Sequence, residues 1–174
     1  MKALIITGIF ATDQEVFYPL YRMQEEGWEV DIAVKGGLET VGEKGIKIKP
    51  TMDIPHEHPK HWDCLILPGG AKAMEYMRQD KHLIEYISFV HVNGLVIGSI
   101  CHGAQLLVSA GLVKYRKISG YYSIKDDITN AGGEFVDAPF VTDDRIVSCP
   151  HYKHLGPWMH EVISQVNYHA KQVY

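Results

Sequence analysis

The stretch "GLVIGSICHGAQLLVSAGL", Gly94 to Leu112, decides how the chain folds. Its first half is a short apolar run with no polar alternation, the pattern of a strand buried on both faces in a parallel sheet. Its second half reads as a short helix that stops near Gly111. Between the two stand Cys101 and His102, with Ser99 two residues before the cysteine and Gly103 two after it. A strand-to-helix turn tight enough to present a nucleophile needs small residues at those two places. Such a turn also aims the side chain at the start of the next helix, where unpaired N–H groups and the helix dipole favour a thiolate. Cys101 is therefore expected to be a reactive thiolate on a nucleophile elbow. The plain alternative is a cysteine that only fills space at the end of a core strand.

The same alternation extends outward in both directions. "ALIITG" (Ala3 to Gly8), "EVDIAV" (Glu29 to Val34) and "CLILPGG" (Cys64 to Gly70) are further apolar runs of strand length. Between the first two, Val16, Phe17, Leu20 and Met23 fall on one helical face, with Pro19 in the first turn or at a kink and Gly27 at the stop. Asp80 caps a second helix whose stripe is Leu83, Ile84, Ile87 and Val90, ending at Asn93 and Gly94. Past the elbow, "SIKDDITNAGG" predicts a helix begun by Asp126 and Asp127 and stopped at Gly132 and Gly133. "EFVDAPFVTDDRIVSC" then alternates about a turn at Asp143 and Asp144, and Leu155 to Lys171 closes the chain as a helix. The order predicts a three-layer α/β/α sandwich, flavodoxin-like, with a mainly parallel sheet and a ligand site at the carboxyl ends of its strands.

Bulk properties agree and exclude several functions. With 174 residues, 46% of them hydrophobic and 22% charged, the chain suits one globular domain spanning residues 1–174. A net charge of -4 offers no basic surface for a phosphate backbone, so no nucleic-acid partner is expected. No apolar run approaches a membrane span and "MKALIITGIF" is followed by acidic residues without a cleavage signal, which predicts a cytoplasmic protein with no membrane partner. The three cysteines, Cys64, Cys101 and Cys149, match neither a disulfide framework nor a paired zinc motif. No phosphate loop or dinucleotide fingerprint occurs, so no cofactor is expected. "HEHPKH" gathers His56, His58 and His61 in a Pro-containing loop, and without a further ligand at suitable spacing no metal is assigned there. Lys47 and Lys49 alternate with Ile46 and Ile48, as in a strand with one wet face.

"SICHGAQLLVSAG", together with "EVFYPLYRMQEEGWEVDIA", "LILPGG" and "SIKDDITNAGGEFVDA" at their intervals, resembles the PfpI branch of the ThiJ/PfpI (DJ-one) superfamily over nearly the whole chain. The resemblance implies that Cys101 is the nucleophile and His102 the base beside it. It implies that Glu15 is a carboxyl with a raised pKa that hydrogen-bonds the sulfur and relays protons. From residues alone, Glu15 would be a first-turn acid favoured by the helix dipole. Gly70 and His102 would give the two backbone N–H groups of an oxyanion hole. Glu75 would complete a Cys-His-Glu triad across a subunit interface in a homo-oligomer, a dimer or a hexamer, and Tyr121 would line the pocket. One segment departs from the family: in "SCPHYKHLGPWMH", Pro150, Lys153 and His154 stand where relatives carry Arg, Pro and Asp. His151 and His154 are therefore expected to contact the substrate. A metal held by Cys149, His151 and His154 is a weaker variant of that reading.

These parts imply a cofactor-free enzyme in which Cys101 adds to the carbonyl carbon of a small substrate, with a glyoxalase III or deglycase-like hydration of 2-oxoaldehydes as the leading reaction. A cysteine hydrolase of amide or peptide bonds uses the same parts with another leaving group. A third reading, of a different class, is a stress-response protein in which Cys101 oxidises to a sulfinate and no turnover occurs.

Overall fold

The computed structural model describes residues 1–56 and 61–172. The elements run β1 (Lys2–Ile6), α1 (Asp13–Glu25), β2 (Glu29–Ala33), β3 (Thr40–Val41), β4 (Lys47–Ile48) and β5 (Cys64–Leu67). Next come α2 (Ala71–Met77), α3 (Lys81–Val92), β6 (Val96–Ile100), α4 (Ala104–Ser109), β7 (Lys117–Ile118) and α5 (Lys125–Asn130). The chain closes with β8 (Glu134–Phe135), β9 (Val141–Asp143), β10 (Ile146–Cys149) and α6 (Leu155–Ala170).

The main sheet has six strands in the order β2-β1-β5-β6-β10-β9, parallel throughout except for the antiparallel edge pair β9 and β10. All residues of β5, β6 and β10 are buried, because helices cover both faces of the sheet. Gly98 in the middle of β6 has a packing cause: a Cβ there would meet Ile66 Cδ1 at 2.9 Å and the ring of Trp158 at 3.1 Å. Trp158, fully buried on α6, donates its indole N–H to the Val147 carbonyl at 3.0 Å and so pins the last helix to β10.

α1 buries Val16, Pro19 and Met23 against the sheet, with Phe17 and Leu20 half-buried beside them. Pro19 lies in the interior of an unbroken helix, not in its first turn, and its missing N–H leaves the Glu15 carbonyl without the usual helical donor. The late alternating run divides. β8 pairs with β7 in a separate two-stranded sheet, and only β9 and β10 form the hairpin, turning at Asp144 with φ 55°. Asp143 is the last residue of β9, so the turn falls one residue later than the sequence pattern suggests. β4 is short, with Ile48 buried and Ile46 half exposed, so the two isoleucines do not share a buried face.

Candidate active site

Cys101 follows β6 directly, with φ 58°, a left-handed conformation that costs a non-glycine residue about 1–2 kcal/mol. The surroundings enforce it. A Cβ on Gly103 would run into the Leu67 carbonyl, so the turn after Cys101 lies hard against the end of β5 and accepts only glycine there. Ser99, the other small residue of the elbow, is fully buried opposite Leu67 and Ser148 on the neighbouring strands.

The end of β5 supplies the next part. Gly69 is wedged among the site groups: a Cβ there would stand 2.7 Å from Glu15 Oε2 and 2.9 Å from both Cys101 Cβ and the His102 nitrogen. Gly70 has φ 108°, which a side chain would oppose, and its missing Cβ leaves room for the Phe10 carbonyl and the Thr12 nitrogen. The backbone N–H groups of Gly70 and His102 both hydrogen-bond the Cys101 sulfur. They converge where an oxyanion donor pair is expected.

Glu15 enters from the first turn of α1 and is fully buried. Its Oε2 accepts the Gly69 N–H at 2.7 Å, while its carboxyl interacts with the Cys101 thiol. Burial raises its pKa to about 7, against the lowering effects of the Gly69 N–H and the thiol, and the nearby Glu43 charge adds to the rise. Burial likewise pushes the Cys101 thiol upward, with the Glu15 charge next in size, and the His102 and Gly70 N–H groups oppose them. The sulfur is thus not the freely ionised, exposed thiolate expected from helix position alone: Cys101 is only 6% exposed. The two groups behave as a pair. A proton on Glu15 removes the repulsion and offers the sulfur a donor, so the thiolate form arises together with the protonated carboxyl.

His102 brackets the sulfur from the other side. Its Nδ1 is 3.4 Å from Cys101 Sγ and its Nε2 is 3.3 Å from Ser123 Oγ. Burial lowers its pKa, outweighing the nearby Asp127 charge, which leaves the ring neutral near pH 7 and able to accept a proton. Tyr121 donates its backbone N–H to the Cys101 carbonyl at 3.2 Å and stacks its ring on His102 at 4.7 Å. His151 lies beyond, its ring 6.0 Å from that of Tyr121, and accepts the Lys153 N–H at Nδ1.

The structure thus brings together Cys101, His102, Glu15, Gly70 and Tyr121, with His151 and His154 on the next stretch of wall. Glu75 does not join them within one chain. It lines the groove onto which His102 opens, but it pairs with Lys72 at 2.5 Å on the exposed face of α2. Ser123 was not singled out from the sequence, where a serine at the start of a predicted helix reads as a cap. Of the loop histidines, His56 stacks on His82 and His61 lies edge-on to Trp62, while His58 falls outside the described residues. Among the described residues no group of three or more His, Cys, Asp or Glu is placed to hold a metal ion, Cys149, His151 and His154 included. No helix among them is long and apolar enough to cross a membrane.

A parallel flavodoxin-like sheet with a cysteine on a strand-to-helix elbow, facing a buried glutamate, defines a class of α/β proteins built around a single thiol. Residues 1–165 match the DJ-1/PfpI family, and the chain belongs to it. It is 37% identical over 163 residues to the Deglycase PfpI of Pyrococcus furiosus, covering 94% of this chain and 98% of that protein. It is 34% identical over 149 residues to the Protein/nucleic acid deglycase 2 of Escherichia coli, covering 84% and 86%. Among solved structures, the fold matches that of a two-domain Anabaena variabilis protein containing DJ-1/ThiJ/PfpI-like and ferritin-like domains. That match has a TM-score of 0.91 at 21% identity, over 95% of this chain and 48% of that one. Schizosaccharomyces pombe DJ-1 matches with a TM-score of 0.84 at 15% identity, over 99% and 98%.

Proposed function

We propose that the protein is a cofactor-free, cysteine-dependent enzyme that acts on 2-oxoaldehydes and on their adducts with amines. The observation that carries this reading is the convergence on one sulfur of a buried carboxyl with a pKa near 7, two backbone N–H donors and a neutral histidine. In the first step the Cys101 thiolate, formed as its proton passes to Glu15, adds to the aldehyde carbon. The Gly70 and His102 N–H groups hold the developing oxyanion. If the aldehyde arrives as an amine adduct, the S–C bond forms as the C–N bond breaks, and the amine leaves with a proton. The resulting hemithioacetal carries one hydrogen on the carbon bonded to sulfur. Removal of that proton by His102 and its return at the neighbouring carbon give a 2-hydroxyacyl thioester. Water then cleaves the thioester, releasing a 2-hydroxy acid and restoring the thiol. Carbonyl reduction at one carbon balances oxidation at its neighbour, so no outside oxidant or reductant is needed. Ser123 acts as a positioning residue, holding the His102 ring through Nε2 so that Nδ1 faces the sulfur.

Relatives named deglycases support the amine-adduct form of the substrate. A test is direct: purified protein is supplied with methylglyoxal, with a methylglyoxal adduct of an amino acid, and with peptide and amide substrates. Lactate from the first two supports the reading. Cleavage of the peptide or amide alone would replace it with a cysteine hydrolase.

A further inference from the structure

Cys149 is a fully buried nucleophile that the proposed chemistry does not use. It ends β10 and pairs in register with Ile100, the last residue of β6 before Cys101. A Cβ on Gly98 would meet Trp158 and Val162 of α6, so Gly98 faces that helix. Side chains alternate along a strand, so Ile100 and its neighbour Cys149 share that face, where α1 packs beside α6 and carries Glu15. Ile100 is extended, with φ -137° and ψ 142°, so the Cα of Cys101 continues the line of β6. An extended Cys101 would point its side chain to the opposite face. Its φ of 58° instead swings the Cβ by about half a turn about the N–Cα bond, which brings the sulfur to Glu15 on the α1 side. With strands about 4.8 Å apart and a rise of about 3.3 Å per residue, the Cα atoms of Cys101 and Cys149 stand about 6 Å apart, inside the range that a disulfide spans. Both are free thiols, and the Glu15 charge reaches both sulfurs. Cys64 is out of reach: it pairs with Val96, five residues before Cys101 and about 16 Å down the sheet.

We propose that Cys149 is the resolving partner of Cys101, so that a hydroperoxide converts the two thiols to a reversible Cys101–Cys149 disulfide that halts turnover. The proposal rests on the reading of Cys101 as the reactive thiol. In the first step the Cys101 thiolate attacks the peroxide: an S–O bond forms, the O–O bond breaks, and the departing oxygen takes the proton that Glu15 received from the thiol. The sulfur is oxidised to a sulfenic acid and the peroxide is reduced. Glu15, now a carboxylate, accepts the proton of Cys149, whose sulfur attacks that of Cys101. The S–S bond forms as the S–O bond breaks, and the hydroxide leaves as water with the proton from Glu15. Cys149 needs no exposure for this, because its electrophile is generated inside the protein.

The test uses the whole protein. It is treated with hydrogen peroxide, the remaining thiols are blocked with iodoacetamide, and peptides are mapped without reductant. The expected map links the Cys101 peptide to the Cys149 peptide and shows Cys64 alkylated, and dithiothreitol should restore both thiols. In Cys149→Ala the sulfenic acid has no partner and advances to the sulfinate, so the fraction of Cys101 that dithiothreitol recovers should fall at least about fivefold. Sulfinate on wild-type Cys101 with Cys149 still alkylated, a link between two chains, or equal recovery in both proteins overturns the proposal. The wild-type map decides the matter even where the variant fails to fold. Lactate formation from methylglyoxal without the link would leave the proposed reaction intact and remove only the resolving role, whereas the link without lactate would leave the dithiol pair and remove the reaction.

Discussion

Replacing Glu15 by glutamine separates the two roles that burial forces on this carboxyl. Burial raises the Glu15 pKa from an ordinary 4.5 to about 7. Between those values the folded protein holds a proton that the unfolded chain has released, so stability falls as pH rises through that window. The rise corresponds to about 3 kcal/mol, fully present as a stabilising difference below pH 4.5 and lost above pH 7. Glutamine fills the same space and still accepts the Gly69 N–H, but it does not titrate. The melting temperature of the Glu15→Gln protein should therefore climb relative to wild type from pH 5 to pH 8. For a chain of this size, about 2–4 °C per kcal/mol makes the gain about 6–12 °C. Turnover should fall at every pH, because the sulfur loses the acceptor that takes its proton in the first step and His102 alone must then serve both that step and the later proton transfer. Calorimetric melts of both proteins at half-unit pH intervals, alongside alkylation of Cys101, provide the assay. Wild-type alkylation should show a step near pH 7 that the variant lacks. A melting-temperature difference that stays flat across the range, or an alkylation profile unchanged by the substitution, would refute the account of a coupled Glu15–Cys101 pair.

Three further outcomes follow from the geometry. Ser123→Ala should lower kcat about three- to tenfold and change the pH profile of kcat/KM on its basic side, with little change in melting temperature, because it frees the His102 ring without opening the core. Gly69→Ala should eliminate activity and destabilise the fold by about 1–3 kcal/mol, since its methyl group would displace Glu15, Cys101 or the His102 backbone; a soluble, fully active variant would show that these groups are not held as described. His151→Ala and His154→Ala, assayed on the identified substrate, should each reduce kcat/KM by more than about threefold, and smaller effects from both would make the segment structural.

The sheet and elbow were legible because β1, β5 and β6 carry apolar runs buried on both faces, because β10 shows through the alternation about its turn, and because only small residues admit the turn after β6, whereas β2, expected to be buried likewise, lies at the sheet edge with only Ile32 and Ala33 buried. Glu15 was legible only through family resemblance. By residue type it is a first-turn helix acid, and its burial depends on α1 starting directly beneath Gly69, a contact 54 residues away in the chain. The state of the thiol was misjudged for the same reason: position at a helix start is local information, whereas burial and the Glu15 charge come from tertiary packing. Ser123 carried no signal, being a polar residue of a surface segment that meets the site only through its contact with His102 Nε2. Spacing left Pro19 between the first turn and a kink, because its cost within a helix depends on whether the freed Glu15 carbonyl can be tolerated, which spacing does not reveal.

The central claim is that one sulfur does the chemistry, and intact-mass spectrometry tests it most directly. Wild-type protein mixed with methylglyoxal and quenched in acid within the first turnovers should carry a single adduct of the aldehyde's mass, mapped by peptide digestion to Cys101. Lactate should accumulate in parallel. The Cys101→Ser protein, nearly isosteric and still folded, should show neither the adduct nor lactate. Lactate formed at the wild-type rate by Cys101→Ser, or an adduct on Cys64 or Cys149 with Cys101 unmodified, would contradict the account.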